Sequence, residues 1–155
     1  MSAVIKQDTV SFRPMIESDL EEVLVIEDQV YNFPWSRKIF LDCLRVGYCS
    51  WVLESGYDHI DAYGIMSVAV GECHILNLCV HPRSQRKGYG NGLLFHLLDV
   101  ARKHNANIAF LEVRPSNQAA RHLYLDAGFN DVGMRRNYYP AKDGREDAII
   151  MARTL

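Results

Sequence analysis

The segment Gln85-Arg86-Lys87-Gly88-Tyr89-Gly90 constrains this chain more than any other. It follows a strand-like run at residues 74–80. It precedes a stretch whose Leu93, Leu94, Leu97, Leu98 and Ala101 fall on one helical face. A strand must therefore pass into a helix across two closely spaced glycines. Glycine permits such a turn and leaves backbone N–H groups unshielded. The first N–H groups of a helix have no internal acceptor and lie at the positive end of its dipole. A pyrophosphate fits such a site, and Arg83, Arg86 and Lys87 add positive charge around it. The same residues equally describe a tight turn with a solvated basic loop. No G-x-x-x-x-G-K-[ST] occurs, which disfavours a P-loop. The glycine order also differs from the dinucleotide fingerprint, and no βαβ unit with a downstream ribose-binding acid is evident.

The rest of the 155 residues supplies the elements of a single domain, 1–155. A strand is expected at residues 9–13. Ser18 and Glu21 have the spacing of a capping box, opening a helix with Leu20, Val23, Leu24 and Val30 as its apolar stripe. Pro34 interrupts it, and Ser36 caps a second short helix ending near Leu44. Strand-like runs follow at 48–54, 62–70 and 74–80, with hairpin turns at Ser55-Gly56 and Val70-Gly71. After the loop at 82–87 and its helix come a strand at 108–113 and a helix at 117–127, ended by Gly128. Strands at 129–138 and 148–152, turning at Asp143-Gly144, come last. This order predicts an α/β fold: a mixed, mostly antiparallel sheet of about seven strands, with about four helices on both faces.

Composition removes several function classes. No apolar run approaches the ~18 residues of a membrane helix, and the first residues lack a signal-peptide pattern. The expected setting is the cytoplasm, without a membrane partner. A formal net charge of −2 argues against general nucleic-acid affinity. Cys43, Cys49, Cys73 and Cys79 form no C-x-x-C pair and lie among apolar residues. Free, buried thiols are expected, and no metal site.

Three segments then carry a resemblance. Gln85-x-x-Gly88-x-Gly90 resembles the acyl-CoA loop of the GNAT superfamily. Asn77-Leu78-Cys79-Val80 looks like the strand through whose backbone that family binds pantetheine. Tyr124-Leu125-Asp126-Ala127-Gly128-Phe129 looks like its Y-x-x-x-G-F segment. The resemblance spans roughly residues 10–153 and implies a GNAT-like acetyltransferase domain using acetyl-CoA as co-substrate, with no metal. It implies coenzyme contacts at Leu78, Cys79, Val80, Gln85, Arg86, Lys87, Gly88, Tyr89, Gly90, Asn117 and Tyr124. For Asn117 the residue alone equally suggests a helix cap. Further segments are Phe33-Pro34-Trp35-Ser36, the run from Leu111 to Asn117, Arg135-Arg136-Asn137-Tyr138-Tyr139-Pro140, and the run from Asp143 to Ala148. They are similar to the branch of the superfamily that acetylates the N-terminal alanine of a small-subunit ribosomal protein. That branch implies direct attack by the peptide amine in a ternary complex, by a monomeric enzyme. A lysine or small-amine acetyltransferase and a non-catalytic acyl-CoA sensor are the alternatives. His122 departs from the family, which favours a small apolar residue there.

Acetyl transfer needs a neutral amine, an acceptor for its proton and a departing thiolate. Glu112 shares strand parity with Ile108 and Phe110, so a carboxylate interrupts an apolar face. Desolvation there would raise its pKa toward the working range of a base. The competing reading is an edge carboxylate paired with Arg114 or Arg136. The resemblance implies the base. Tyr124 is a core aromatic by periodicity and the proton donor to sulfur by resemblance. A covalent route through Cys79 would need His74 or His81 beside it. Phe33, Pro34, Trp35, Tyr138 and Tyr139 are candidates for an acceptor groove, or loop aromatics packed on the domain. Glu17, Asp19, Glu21, Glu22, Glu27 and Asp28 read as a solvated acidic face able to attract a basic protein.

Overall fold

A computed structural model describes residues 10–56 and 58–155. Strand β1 (Val10–Pro14) leads through a 3-10 turn (Glu17–Asp19) into helices α1 (Leu20–Val30) and α2 (Arg37–Arg45). Strands β2 (Cys49–Ser55), β3 (Ile60–Ala69) and β4 (Glu72–Val80) follow. Helix α3 (Tyr89–Lys103), strand β5 (Ile108–Val113) and helix α4 (Gln118–Asp126) come next, then the hairpin β6 (Asn130–Ala141) and β7 (Gly144–Thr154). The element order is the one expected from sequence. All seven strands join one sheet, in the order β1-β2-β3-β4-β5-β7-β6. Every neighbouring pair is antiparallel except β4 with β5, which is parallel.

The strands alternate two buried faces. On one, Leu93, Leu94, Leu97 and Leu98 of α3 pack against Leu53, Ala62, Ile75 and Leu111. On the other, Leu20, Val23 and Ile26 of α1 and Phe40 of α2 pack against Val52, Tyr63, Ile65 and Cys79. Each fully buried leucine contributes roughly 1.5–3 kcal/mol, so these contacts outweigh the smaller preferences of individual helix residues.

Several local expectations are corrected. Ser18 and Glu21 form no capping box. Residues 17–19 make the 3-10 turn, and the Asp19 carboxylate instead accepts the Ile16 N–H at 2.8 Å. Asp19 is buried and bound twice by Arg13. Burial opposes its ionisation, but Arg13 and the Ile16 amide hold its carboxyl below the usual range. Ser36 does cap α2, accepting the Ile39 N–H. The last hairpin extends beyond the expected strands, and its turn falls at Lys142-Asp143 because Ala141 pairs with Gly144. The polar run with Pro140 conceals strand from a sequence reading, but an edge strand tolerates proline. His122 is exposed, so it creates no packing conflict. Thr9, the start of the first expected strand, lies outside the described residues. So does Tyr57, beside the Ser55-Gly56 turn.

Candidate active site

The parallel pairing of β4 with β5 covers only Glu72–Ile75 against Ile108–Leu111. Beyond it the two strands part. Their other edges stay paired: Leu78 with Gly64 on β3, and Glu112 with Ile150 on β7. A bulge marks the departure, because Met66 pairs with Ile75 and Ile65 with Asn77, skipping Leu76. The parted strands leave a cavity of about 490 Å³. Leu76, Asn77 and Leu78 line one side, and Leu111, Glu112, Val113 and Arg114 the other. Residues 33–35, Asn117 and Tyr124, and Tyr139 and Pro140 close it.

The cavity passes through the sheet. Ala109, Leu111 and Val113 pack with α3 and α4, so Glu112, alternating with them, points to the opposite face. Tyr124 of α4 belongs to the α3–α4 side, its ring edge-on to Phe129. It is therefore both a core aromatic and a cavity residue. Burial, and then the nearby Cys79, push its phenol pKa up, so it remains a proton donor. Glu112 Oε1 lies 3.5 Å from Arg135 Nε. The sequence points to Arg114 or Arg136 instead. Arg135 reaches across β7 because it pairs with Ala148, too small to block it. Arg114 is engaged elsewhere, donating to the Pro140 carbonyl at 2.8 Å and lying 4.3 Å from the Tyr139 ring centre.

At the end of β4 the chain makes the turn into α3. Gly88 has φ +81° and is the residue before the first turn of the helix, with no side-chain cap. The Gly92 N–H donates to the Gly88 carbonyl at 2.9 Å, so the amides of residues 88–91 precede the helical ladder. A Cβ on Gly88 would meet nothing within 4 Å, so its dihedral angle, not crowding, requires glycine. At Gly90 the reason is closeness: a Cβ would lie 3.3 Å from Val80. Gln85 donates back to the Val80 carbonyl at 3.3 Å. The Tyr89 side chain is buried in the core, leaving only its backbone for a ligand.

The cavity brings together Phe33, Pro34, Trp35, Leu78, Glu112, Asn117, Tyr124 and Tyr139. The turn residues Gln85, Arg86, Lys87, Gly88, Tyr89 and Gly90 do not line it, nor do Cys79 and Val80. Tyr138 is outside as well, exposed and edge-on to Tyr139 at 4.8 Å. Asn117 caps α4, accepting the Ala120 N–H at 3.2 Å, while also lining the cavity. Cys79 is buried among Tyr31, Tyr63 and Glu27, and its thiol is pushed up to about 12, chiefly by burial. No histidine activates it: His81 Nδ1 accepts the Arg83 N–H, and His74 packs on Phe110. Cavity residues outside the sequence candidates include Glu27, Tyr31, Ile39 and Arg114. The sequence places Glu27 on a solvated acidic face, yet it is 1% exposed. Its signal was positional, since it follows Leu20 and Val23 on the buried side of α1.

The Acetyltransferase (GNAT) family matches residues 13–129, most of the chain. The chain belongs to the GNAT acetyltransferase family. Its relatives include the [ribosomal protein bS18]-alanine N-acetyltransferase of Escherichia coli K12, 43% identical over 87% of this chain and 90% of that protein. The enzyme of the same name from Haemophilus ducreyi is 35% identical over 89% of this chain and 95% of its own length. The crystal structure of the E. coli enzyme superposes with a TM-score of 0.87 at 39% identity, covering 95% of this chain and 94% of that one. The hairpin carrying Tyr139 lies beyond the family match, but the superposition with that GNAT enzyme covers nearly all of this chain. Among the described residues, no helix is long and apolar enough to cross a membrane.

Proposed function

We propose that this chain transfers the acetyl group of acetyl-CoA to the N-terminal alanine amine of a ribosomal protein. One observation carries the chemistry: Glu112 and the protonated Tyr124 phenol line a single cavity opened by the parting of β4 and β5. The similarity to enzymes named for ribosomal protein bS18 supports the acceptor.

The chain's own groups fit the coenzyme. The uncapped start of α3, entered through Gly88, presents amides suited to a pyrophosphate. Arg83, Arg86 and Lys87 supply nearby cations. Leu78 and Val80 turn backbone groups to the edge that β5 has left, while Cys79 between them turns its own toward β3; Asn117 and Tyr124 stand opposite Leu78 across the cavity. Bound acetyl-CoA would supply an activated acetyl thioester. Glu112 would accept the proton of the attacking amine, and Tyr124 would donate toward the departing sulfur. A thiolate is already a fair leaving group, since a thiol titrates near 8.5, so Tyr124 has the smaller task.

Proton accounting favours an α-amine. It titrates near 7.7–8.0 and lysine near 10.4; neutralising lysine at pH 7.5 costs about 3–4 kcal/mol more. Phe33, Pro34 and Trp35 on one wall and Tyr139 on the other, with Tyr138 at the rim, would hold the residues after the alanine as an extended strand. The test compares kcat/KM for three acceptors: an Ala-starting peptide rich in basic residues, the same peptide with its α-amine blocked, and spermidine. The first should be turned over fastest. Faster turnover of the blocked peptide or of spermidine overturns the N-terminal assignment.

A further inference from the structure

Glu27 places a carboxylate in the core. It lies on the buried side of α1, is 1% exposed, and lines the cavity. Burying a carboxylate is costly unless hydrogen bonds replace its hydration. Here three donors do so. Tyr63 of β3 donates its hydroxyl to Oε1 at 2.7 Å, and Asn77 of β4 donates its side-chain amide to the same oxygen at 3.0 Å. The backbone N–H of Trp35 donates to Oε2 at 2.8 Å. Burial, more than any nearby charge, pushes the Tyr63 phenol pKa well up, so its proton stays available.

The third bond has a consequence for the cavity wall. Residues 31–36 connect α1 to α2 without helix or strand, and Tyr31 at their start donates its N–H to the Glu27 carbonyl and its hydroxyl to the Leu78 carbonyl, each at 3.0 Å. Pro34 has no N–H to give. Beyond Tyr31, among the described residues, the Trp35 amide makes the one hydrogen bond donated from this stretch. Glu27 thus joins a cavity wall of irregular backbone to two strands of the sheet, one of them β4 just past its bulge. The Trp35 ring packs on Phe40, but a ring contact does not fix the backbone that also carries Phe33 and Pro34.

We propose that Glu27 is a positioning residue for the acceptor: its carboxylate holds the Trp35 backbone, and so sets residues 33–35 against the parted edge of β4. The inference rests on the reading of those residues as an acceptor wall. A carboxylate suits this task because it only accepts, and its two oxygens satisfy donors from three directions. A glutamine retains one oxygen for the Trp35 N–H, and Asn77 can rotate its amide to meet the new NH₂. A leucine fills the same space and accepts nothing.

The test uses Glu27→Leu and Glu27→Gln with two readouts: hydrogen exchange at the Trp35 amide, and steady-state kinetics. The acceptor is whichever of the three above the wild type turns over best, so failure of the alanine assignment leaves this test intact. In Glu27→Leu, Trp35 exchange should quicken and acceptor KM should rise, each by about tenfold or more, with acetyl-CoA KM unchanged. Glu27→Gln should keep both near wild type. Two results overturn the proposal. One is fast Trp35 exchange in Glu27→Leu with an unchanged acceptor KM, which leaves Glu27 purely structural. The other is a Glu27→Gln enzyme with normal KM but depressed kcat, which makes the charge part of the chemistry. If Glu27→Leu does not fold, Tyr63→Phe carries the test, because it loosens Glu27 without emptying its site. Anything but a joint rise in Trp35 exchange and acceptor KM then overturns the proposal.

Discussion

Glu112 and Tyr124 enter one cavity from opposite faces of the same sheet. Glu112 alternates with the residues of β5 that pack under α3 and α4, whereas Tyr124 comes from α4 itself. They meet because β4 and β5 stop pairing after Ile75 and Leu111. An acceptor can therefore approach from the α1–α2 side and a leaving group depart toward the other.

Glu112→Gln is expected to lower kcat by about 10²-fold or more, as loss of a general base does. Acetyl-CoA affinity, measured by calorimetry, should hardly change. A mutant with normal kcat at neutral pH would remove Glu112 from the mechanism.

Tyr124→Phe is expected to cost about 10-fold to 10²-fold in kcat. The ring remains against Phe129, so the urea midpoint should stay close to wild type. Since the folded protein raises the phenol pKa, wild-type kcat should show no loss from Tyr124 ionisation up to pH 10. An alkaline limb that vanishes in Tyr124→Phe would contradict this.

Gly88→Val places a β-branched residue at φ +81°, where side chains are disfavoured. The backbone must shift to relieve it, and the amides at the start of α3 shift too. At 100 times its dissociation constant a ligand stabilises by about 2.7 kcal/mol. Acetyl-CoA should clearly raise the Tm of the wild type and leave the Gly88→Val protein unmoved. An equal shift in both would put the phosphates elsewhere.

His96 makes stability depend on pH. Its ring stacks on Phe12 at 4.4 Å and meets Trp51 edge-on, and its Nε2 is sealed without a partner. Burial lowers its pKa; Asp99 pulls the other way and Lys103 reinforces the fall. The unfolded chain thus binds the proton first. The His96 contribution is complete above about pH 6.5 and is lost as pH falls through the lower folded value. In His96→Phe, urea midpoints should decline less between pH 7 and pH 5 than in wild type. His81, also lowered by burial, leaves a residual slope. Equal slopes in the two proteins would count against the assignment.

Val70→Asn should stabilise the fold. Val70 and Gly71 turn the β3–β4 hairpin with φ +52° and +79°, and Val70 is fully exposed. Positive φ at both positions is the pattern that favours Asn-Gly. The gain should be about 0.5–1 kcal/mol, of the order of other turn substitutions, read as a higher urea midpoint. A lower midpoint would show that Val70 makes a contact worth more than its strain.

What the sequence determined by itself was local: the order of elements, the Ser36 cap, the Val70-Gly71 turn and the glycine-spaced entry to α3. Each depends on residues a few positions apart, where periodicity and backbone preference act directly. The parity of Glu112 was legible for the same reason. Only the tertiary structure decided what faces what. Arg135, not a residue nearer in the expected pairing, reaches Glu112, because β7 lies between β5 and β6 with Ala148 at the crossing. Glu27 reads as one more solvated acid until Tyr63, Asn77 and the Trp35 amide, from other parts of the chain, surround it. The cavity itself is a place where two strands fail to pair. Its one local mark is the bulge at Leu76, which moves the buried positions of β4 from the α3 side, with Cys73 and Ile75, to the α1 side, with Cys79, and no residue type in the sequence announces it. The gap arises because β3 and β7 hold the outer edges of those strands on diverging lines.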